Sequence, residues 1–512
     1  MSNRSNIIKI NVLLMVTFII TTVVLGIIVK GVAGNLSAND VYNLQARTQP
    51  FELSPERGRF AIVQSLFEYR RLDFPKEVAR YVIPDLAYRD GKFVTLFPPG
   101  VSFISSPLYY LGKQFNYSQY FSFLTVSIFA IINVFLIFKI VALLTSNKYA
   151  GILAGLIFLF STTALPYAIT LYQHHFTTFF ILLSLFLFLK KKSITSLLLS
   201  YFVFALSFIV EYHAAVFILP IIVVITLKFI DIKVGKKIIV KLSYSIFVAF
   251  LAFVVGIIPN LAFSKYVYGN MFQLAGTVRG VKNVQVLEPD IEAARSNSEQ
   301  AVDSNKSLSN FFQMSNVANG FQVLIASSER GFVFYAPVML LSIFVIFVFS
   351  KSSDDNKKTI RLVFVVQLLI LILYLMWGDP WGGWAFGPRY LIPFFACNSI
   401  LLGVVLNKYG KNLLMLALFS VLFIYGLAVN TAGALTTNAL APSKEVESAS
   451  LPKVQYMFNF QMISDNHSSS FVYNNLLNQY FDLKTFFFLI ISVVSVLYLI
   501  NLILLYRSEY EN

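Results

Sequence analysis

The chain has 512 residues, 57% of them hydrophobic and only 13% charged, with a formal net charge of +15. Soluble domains carry about 25% charged residues, so this balance and a mean hydropathy of +0.71 exclude an ordinary soluble globular protein. The positive excess raises nucleic acid or anionic lipid as partners, and the single cysteine, Cys397, excludes an intramolecular disulfide and any Cys-cluster metal site.

The first apolar run, about Ile8 to Val29, is too long for a signal-peptide core and is followed by no convincing small-residue cleavage site, so it reads as a retained span. Spans are expected at about 8–30, 118–145, 149–163, 173–190, 194–210, 213–230, 239–262, 333–350, 360–377, 388–406, 411–429 and 484–506. Runs of about 20 apolar residues match the bilayer thickness. The expectation is an all-α integral membrane protein, one polytopic unit over 1–512 with about 12 transmembrane helices.

Charge placement orients it. With the N-terminus inside, the short inner segments collect Arg4, Lys9, Lys148, Lys190, Lys191, Lys192, Lys228, Lys233, Lys236, Lys237, Lys241, Lys351, Lys357, Lys358, Arg361, Lys408, Lys411 and Arg507. Acids there are few: Asp231, Asp354, Asp355, Glu509 and Glu511. This is the positive-inside pattern. The net charge is therefore mainly topological and does not argue for nucleic acid. The reading is a multi-pass protein of the plasma membrane with both termini cytoplasmic and its long loops outside.

Three long outer segments result, about 31–117, 263–332 and 430–483. Long loops without structure of their own are usually functional. In the first, Ser54-Pro55-Glu56 is a helix start with Ser as N-cap and Pro at the first helical position. Phe60, Val63, Leu66 and Phe67 line one face, with Arg57, Arg59, Arg70 and Arg71 as charged complement, which predicts an amphipathic helix in the headgroup layer. Asp90-Gly91 predicts a hairpin turn. Phe97-Pro98-Pro99-Gly100 breaks the chain, and a short apolar helix, about Val101 to Leu111, is expected to kink or end near Pro107. The third outer segment, with Ala441-Pro442-Ser443 and Ser468-Ser469-Ser470, reads as the least ordered.

Polar residues near the membrane cluster on the outer side: all four histidines (His174, His175, His213, His467), all three tryptophans (Trp377, Trp381, Trp384), and the acids Glu56, Glu211, Glu329 and Asp379. Such residues tend to mark function. Each also has a structural reading. Glu56 suits a helix N-terminus. His174 and His175 suit the polar top of a span. Glu211, held between two apolar runs, needs a partner. Glu329 and Arg330 suit a local ion pair, Arg389 a snorkelling position, and the tryptophans an aromatic belt. No Gly-rich nucleotide loop, His-Glu-x-x-His helix or Gly-x-Ser-x-Gly elbow is present, which argues against a cytosolic nucleotide substrate.

Several of these segments carry a resemblance. Glu56-Arg57-Gly58-Arg59-Phe60-Ala61, Phe97-Pro98-Pro99-Gly100 leading to Pro107-Leu108-Tyr109, Ser328-Glu329-Arg330-Gly331 ahead of Tyr335-Ala336-Pro337, and Gly382-Gly383-Trp384 ahead of Gly387-Pro388-Arg389-Tyr390 are similar to segments of the GT-C superfamily of multi-span glycosyltransferases. That superfamily includes protein O-mannosyltransferases and aminoarabinose transferases; the nearest likeness is to uncharacterised bacterial and archaeal members. His174 and Glu211-Tyr212 resemble positions in the same group. The resemblance covers most of residues 1–406 and implies an inverting transfer of a sugar from a polyprenyl-phosphate-linked donor to a glycan, lipid or protein acceptor at the outer face. It implies Glu56 as general base. Arg59, Arg330 and Arg389 are the candidates for the phosphate, and His174, His175, Glu211 and Glu329 are expected to line the substrate site. Two positions depart from the pattern: Glu56 stands where many relatives have aspartate, and Phe97 where many have lysine. No cofactor is specified, and a divalent metal ion stays open. A secondary transporter and a non-catalytic lipid-linked-glycan binding protein are the alternatives. The transporter class predicts similar halves and broken helices at mid-membrane, and neither is visible in the sequence.

Overall fold

A backbone in hydrocarbon must satisfy its own hydrogen bonds, so apolar runs of this length fold as helices. The computed structural model describes residues 2–45, 51–234, 238–278, 311–350, 352–445 and 454–508. Seven helices are long and apolar enough to span a membrane: Asn11–Ile28, Ser118–Thr145, Tyr244–Tyr268, Asp354–Leu375, Arg389–Tyr409, Leu413–Leu435 and Leu483–Ser508. Five shorter apolar helices, Lys148–Phe160, His174–Leu189, Ile194–Val210, Ala214–Leu227 and Pro337–Phe349, fill the other expected positions. The protein is thus a helical multi-span membrane protein. Parts of the second and third long loops (279–310 and 446–453), and Lys236, Lys237, Lys351, Glu509 and Glu511, lie outside the described residues.

Arg389–Tyr409 is the hub, 89% buried within the protein, whereas Tyr244–Tyr268 is 22% buried and presents its apolar sides outward. Small residues permit the central packing. A Cβ on Gly151 would lie 2.7 Å from the Phe138 carbonyl, so Lys148–Phe160 packs backbone to backbone on Ser118–Thr145.

The long loops gather on one side of the bundle, and the first of them is structured. Its hairpin pairs Leu86–Arg89 with Lys92–Thr95 around Asp90 and Gly91, both at positive φ (50° and 76°), as the Asp-Gly turn requires. The helix Ser54–Glu68 forms, but one residue out of the expected phase: Leu53 occupies the N-cap and makes no side-chain cap. It is not an interfacial helix with a solvated charged face. Every residue from Glu56 to Ser65 is buried, Arg57 and Arg59 included, because Gly100–Gln114 covers one side of it and Lys76–Val82 another. Gly100–Gln114 does not end at Pro107 but continues as helix to Gln114, packed against Ser118–Thr145.

Three further features depart from the sequence expectation. The last loop is not loose where it is described. Phe471 donates its N–H to the Val29 carbonyl at 2.9 Å, Ser470 Oγ donates to the Ile27 carbonyl at 2.8 Å, and Ser469 N–H reaches Leu435 at 2.9 Å, so this loop clamps the end of the first span. The span expected over 333–350 is irregular: a turn at Phe332–Tyr335, a 3₁₀ stretch Pro337–Phe344, then Val345–Phe349. Asn430 and Asn398 donate to its Tyr335 and Met339 carbonyls at 2.8 and 3.3 Å, which repairs bonds the break leaves open. Finally, residues 161–172 are fully buried yet mostly non-helical. Their carbonyls are capped from elsewhere: Ala168 by Ser127 at 2.8 Å, Pro166 by Asn438 at 3.0 Å, and Ile169 by the Lys30 N–H at 3.3 Å. That segment supports the site.

Candidate functional site

Glu56 is the third residue of the first-loop helix, placed where the free N–H groups of a helix start favour an anion. Its side chain is 1% exposed. Oε2 accepts the Glu52 N–H at 3.1 Å, and Oε1 has no hydrogen-bond partner. Burial, reinforced by the neighbouring Glu52 charge and opposed by Lys30, pushes the carboxyl up to about 8. Glu52 itself is balanced: its Oε2 accepts from Lys30 Nζ and from the Asn438 N–H, each at 2.8 Å. Lys30, Glu52 and Glu56 face a cavity of about 720 Å³ whose other walls come from residues 31–33, the 436–439 turn and the last loop, with Trp384 at its edge.

A second buried cluster is centred on Tyr172. Arg59 and Arg389 place their guanidinium carbons 5.6 and 5.1 Å from its ring. Arg59 donates to the Pro55 carbonyl at 3.0 Å, to Gln173 Oε1 at 2.5 Å and, at the long limit, to the Leu171 carbonyl at 3.5 Å. It also stacks 4.7 Å from the ring of Phe97, which serves as a platform for the guanidinium. Burial lowers Arg59 to about 10, which leaves it charged at neutral pH. Arg389 donates to the Gly382 carbonyl at 2.8 Å, while its Nε has no partner. The Gly382-Gly383 turn, with φ of 70° and 61°, brings that carbonyl round, and a Cβ on Gly382 would stand 2.9 Å from Arg389 Nε. Neither arginine forms an ion pair with a carboxylate among the described residues.

Glu211 completes the cluster at a distance. Gln173 Nε2 and Thr177 Oγ1 donate to it at 3.0 and 2.6 Å, and His213 Nε2 lies 3.1 Å away. Burial works to raise this carboxyl, but His213 and the hydroxyl of Thr177 outweigh it and hold it below the ordinary carboxylate range. The His213 ring in turn meets the Tyr374 hydroxyl at 2.7 Å. His174 stacks on Tyr172, with centroids 5.9 Å apart and planes 9° apart. Neither of its ring nitrogens nor the Tyr172 hydroxyl has a hydrogen-bond partner. Buried polar atoms without partners are rare and call for an explanation. Tyr172, His174 and Arg389, which are in ring contact, share this condition, as do Thr170 and Glu56.

The structure thus brings Arg59, His174, Glu211 and Arg389 around Tyr172, and Glu56 to the adjoining cavity. Three expected residues stand elsewhere. His175 turns its Nε2 to the Ala164 carbonyl at 2.8 Å and caps the buried segment. Glu329 and Arg330 do not pair through their side chains: Glu329 meets Ser443, and Arg330 is wholly buried. Arg330 donates to Leu440 at 2.7 Å, to the Glu329 carbonyl at 3.0 Å, to Trp381 at 3.2 Å, and to Gln455 Oε1, so its donors are engaged in joining loops. Arg389 does not snorkel, being held inside. The tryptophans differ in their surroundings. Trp377 packs on Phe311 and Phe312, Trp381 lends its carbonyl to Arg330, and only Trp384 is exposed. Sequence reasoning missed Lys30, Glu52, Tyr172 and Gln173. The polar run Tyr172-Gln173-His174 at the head of an apolar span was the available signal. Among the described residues no group of three or more His, Cys, Asp or Glu side chains is gathered as a set of metal ligands.

Fold and site together define a multi-span helical membrane protein with a buried polar pocket under its long loops. No family model matches the chain, and no curated protein matches it. Among solved structures it is similar to ArnT from Cupriavidus metallidurans in the apo state, at 10% identity and a TM-score of 0.48, covering 99% of this chain and 76% of that one. It is also similar to ArnT from Cupriavidus metallidurans bound to undecaprenyl phosphate, at 10% identity and a TM-score of 0.45, covering 97% and 76%.

Proposed function

We propose that the protein is a membrane glycosyltransferase that moves a sugar from a polyprenyl-phosphate carrier to an acceptor on the outer face of the membrane. One juxtaposition carries the reading: a buried carboxyl on a residue that lines the cavity, with one oxygen unpartnered, and two buried guanidiniums at Tyr172 that no carboxylate among the described residues neutralises. Burying a cation without an anion is costly unless a ligand supplies it, and guanidinium matches a phosphate through paired hydrogen bonds. Arg389, with its free Nε, is the principal phosphate ligand, and Arg59 supports it from across Tyr172. His174 and the Tyr172 hydroxyl supply neutral polar contacts.

In the reaction Glu56 Oε1 takes the proton of an acceptor hydroxyl as its oxygen attacks the anomeric carbon. The bond from that carbon to the phosphate oxygen breaks on the opposite side, and its electron pair leaves with the polyprenyl phosphate beside the arginines. The result is inversion at the anomeric carbon. General base assistance of this kind is typically worth about 10²–10⁴-fold. Glu56→Gln keeps the shape and removes the base. It is expected to abolish transfer while carrier binding persists; undiminished transfer by this variant would remove Glu56 from the role. The irregular span at Phe332–Phe349 is the one feature that favours a transporter instead. Accumulation of a solute in vesicles carrying the protein, with no transfer activity, would establish that reading.

A further inference from the structure

The cavity in front of Glu56 has a composition of its own. It is walled by the end of the first span, the 436–439 turn and the 458–475 region, with Phe123 of Ser118–Thr145 the one further contribution from a long span besides the loop residue Trp384 and the first-loop acids. Its volume of about 720 Å³ falls in the range of roughly 300–1,000 Å³ typical of small-molecule sites. Among the described residues its titratable lining groups are Lys30, Glu52, Glu56 and His467, and Lys30 and Glu52 neutralise one another at 2.8 Å. The one lysine on its wall is thus already paired, and no arginine lines it to select an anionic headgroup. Thr437, Ser468, Asn474 and Asn475 line it with short polar groups. Among them stands the Trp384 ring, 47% exposed and anchored by its Nε1–H to Glu445 at 2.9 Å. A neutral, polyhydroxylated ligand with apolar ring faces satisfies this set, since an indole supplies apolar area with a wet edge. Val32, Ala33, Phe123, Phe458 and Met462 add apolar wall, while the Asn474 and Asn475 amide N–H groups donate to the Ser468 and Phe471 carbonyls at 2.8 Å and leave their Oδ1 atoms to accept from ligand hydroxyls.

From this arrangement we infer that the cavity is a carbohydrate subsite for the acceptor, in which Trp384 stacks on a sugar ring, Asn474 and Asn475 bond its hydroxyls, and the reacting hydroxyl reaches Glu56 Oε1. The inference rests on the reading of Glu56 as the base, and it narrows the acceptor to a neutral glycan. It also accounts for Glu56 lining the cavity. Displacement with inversion requires the acceptor and the leaving phosphate on opposite sides of the anomeric carbon.

The test is saturation-transfer NMR on the full chain in lipid nanodiscs, with neutral hexose and N-acetylhexosamine oligosaccharides of three to six units as probes and serine-containing peptides as rivals. Saturation of at least one oligosaccharide is expected. Trp384→Ala and the double change Asn474→Ala with Asn475→Ala should each weaken it at least tenfold. Trp384→Phe should keep it, because the stacking face survives while the bond to Glu445 is lost. No saturation of any oligosaccharide, saturation of the peptides instead, or loss of binding in Trp384→Phe equal to that in Trp384→Ala overturns the subsite. The Glu56 reading is scored separately by transfer activity. Glu56→Gln that binds oligosaccharide but does not transfer supports both. Abolished transfer without oligosaccharide binding by the native chain defeats only the subsite, and full transfer by Glu56→Gln defeats only the base.

Discussion

Replacing Glu52 with Gln should make Glu56 a stronger acid. Glu56 sits at about 8 because burial disfavours its charge, with the Glu52 carboxylate adding to the effect and Lys30 opposing it. Gln at 52 keeps an oxygen for the Asn438 N–H and removes the repulsion. It also frees the Lys30 ammonium, now paired with Glu52 at 2.8 Å, to act on Glu56. Like charges one side-chain length apart in an effective dielectric of about 20 repel by roughly 2–4 kcal/mol. Glu52 is 15% exposed, so part of this is screened. At about 1.4 kcal/mol per pH unit, the midpoint should fall by roughly one to two units. Burial remains, so it should stay above the ordinary 4.5. Infrared difference titration reads this without knowledge of the donor. The carbonyl stretch of a protonated carboxylic acid should vanish near pH 8 in the native chain, be missing in Glu56→Gln, and vanish at lower pH in Glu52→Gln. An unchanged or higher midpoint in Glu52→Gln refutes the electrostatic argument; no such band in the native chain refutes the raised carboxyl. The sign for stability follows from linkage. The folded state holds a proton that the unfolded chain releases near 4.5, so this group's contribution is full below that pH and is lost as pH rises through about 8. Transfer runs the other way: it needs the ionised base and should rise about tenfold between pH 7 and 9.

Arg389→Lys keeps a charge but loses the planar fork. Binding of polyprenyl phosphate, followed by thermophoresis, should weaken by about 10–100-fold, the usual worth of a charge-assisted bond of roughly 1.5–3 kcal/mol. Unchanged affinity would exclude Arg389 as the phosphate ligand. The two adjacent histidines should separate by assay. His175→Ala strips the donor from the buried Ala164 carbonyl and should cost about 1–3 kcal/mol in thermal unfolding. His174→Phe removes nitrogens that have no partner, so it should leave stability nearly unchanged and weaken carrier binding. Arg330→Met leaves the Leu440 and Trp381 carbonyls without their donor. It should destabilise by about 3 kcal/mol or more and expose the last loop to protease before any helix is lost.

The spans were legible because their cause is local. A run of about 20 apolar residues has few alternatives to a helix across a bilayer, and all twelve expected positions hold apolar helices. The Asp90-Gly91 hairpin was legible for the same reason, since positive φ at both positions is a property of those residues. The charge of Arg57 and Arg59 was equally visible, yet it suggested a wet helix face, because sequence cannot tell whether a neighbouring segment will cover that face. Gly100–Gln114 does so, and it turns a surface pattern into a buried one. The site divides along this line. Glu56, Arg59, His174, Glu211 and Arg389 stood out as polar residues beside apolar runs. Their grouping around Tyr172, and the diversion of His175, Glu329 and Arg330 to structural bonds, depends on segments more than 100 residues apart in the chain, such as Arg330 with Leu440 and Lys30 with the 470 region. Sequence by itself determined which segments enter the membrane and which residues are costly to bury. Only the tertiary structure decided which of those costs are met by protein partners and which remain open at Glu56, Tyr172, His174 and Arg389, because that depends on contacts between distant segments that no local pattern encodes.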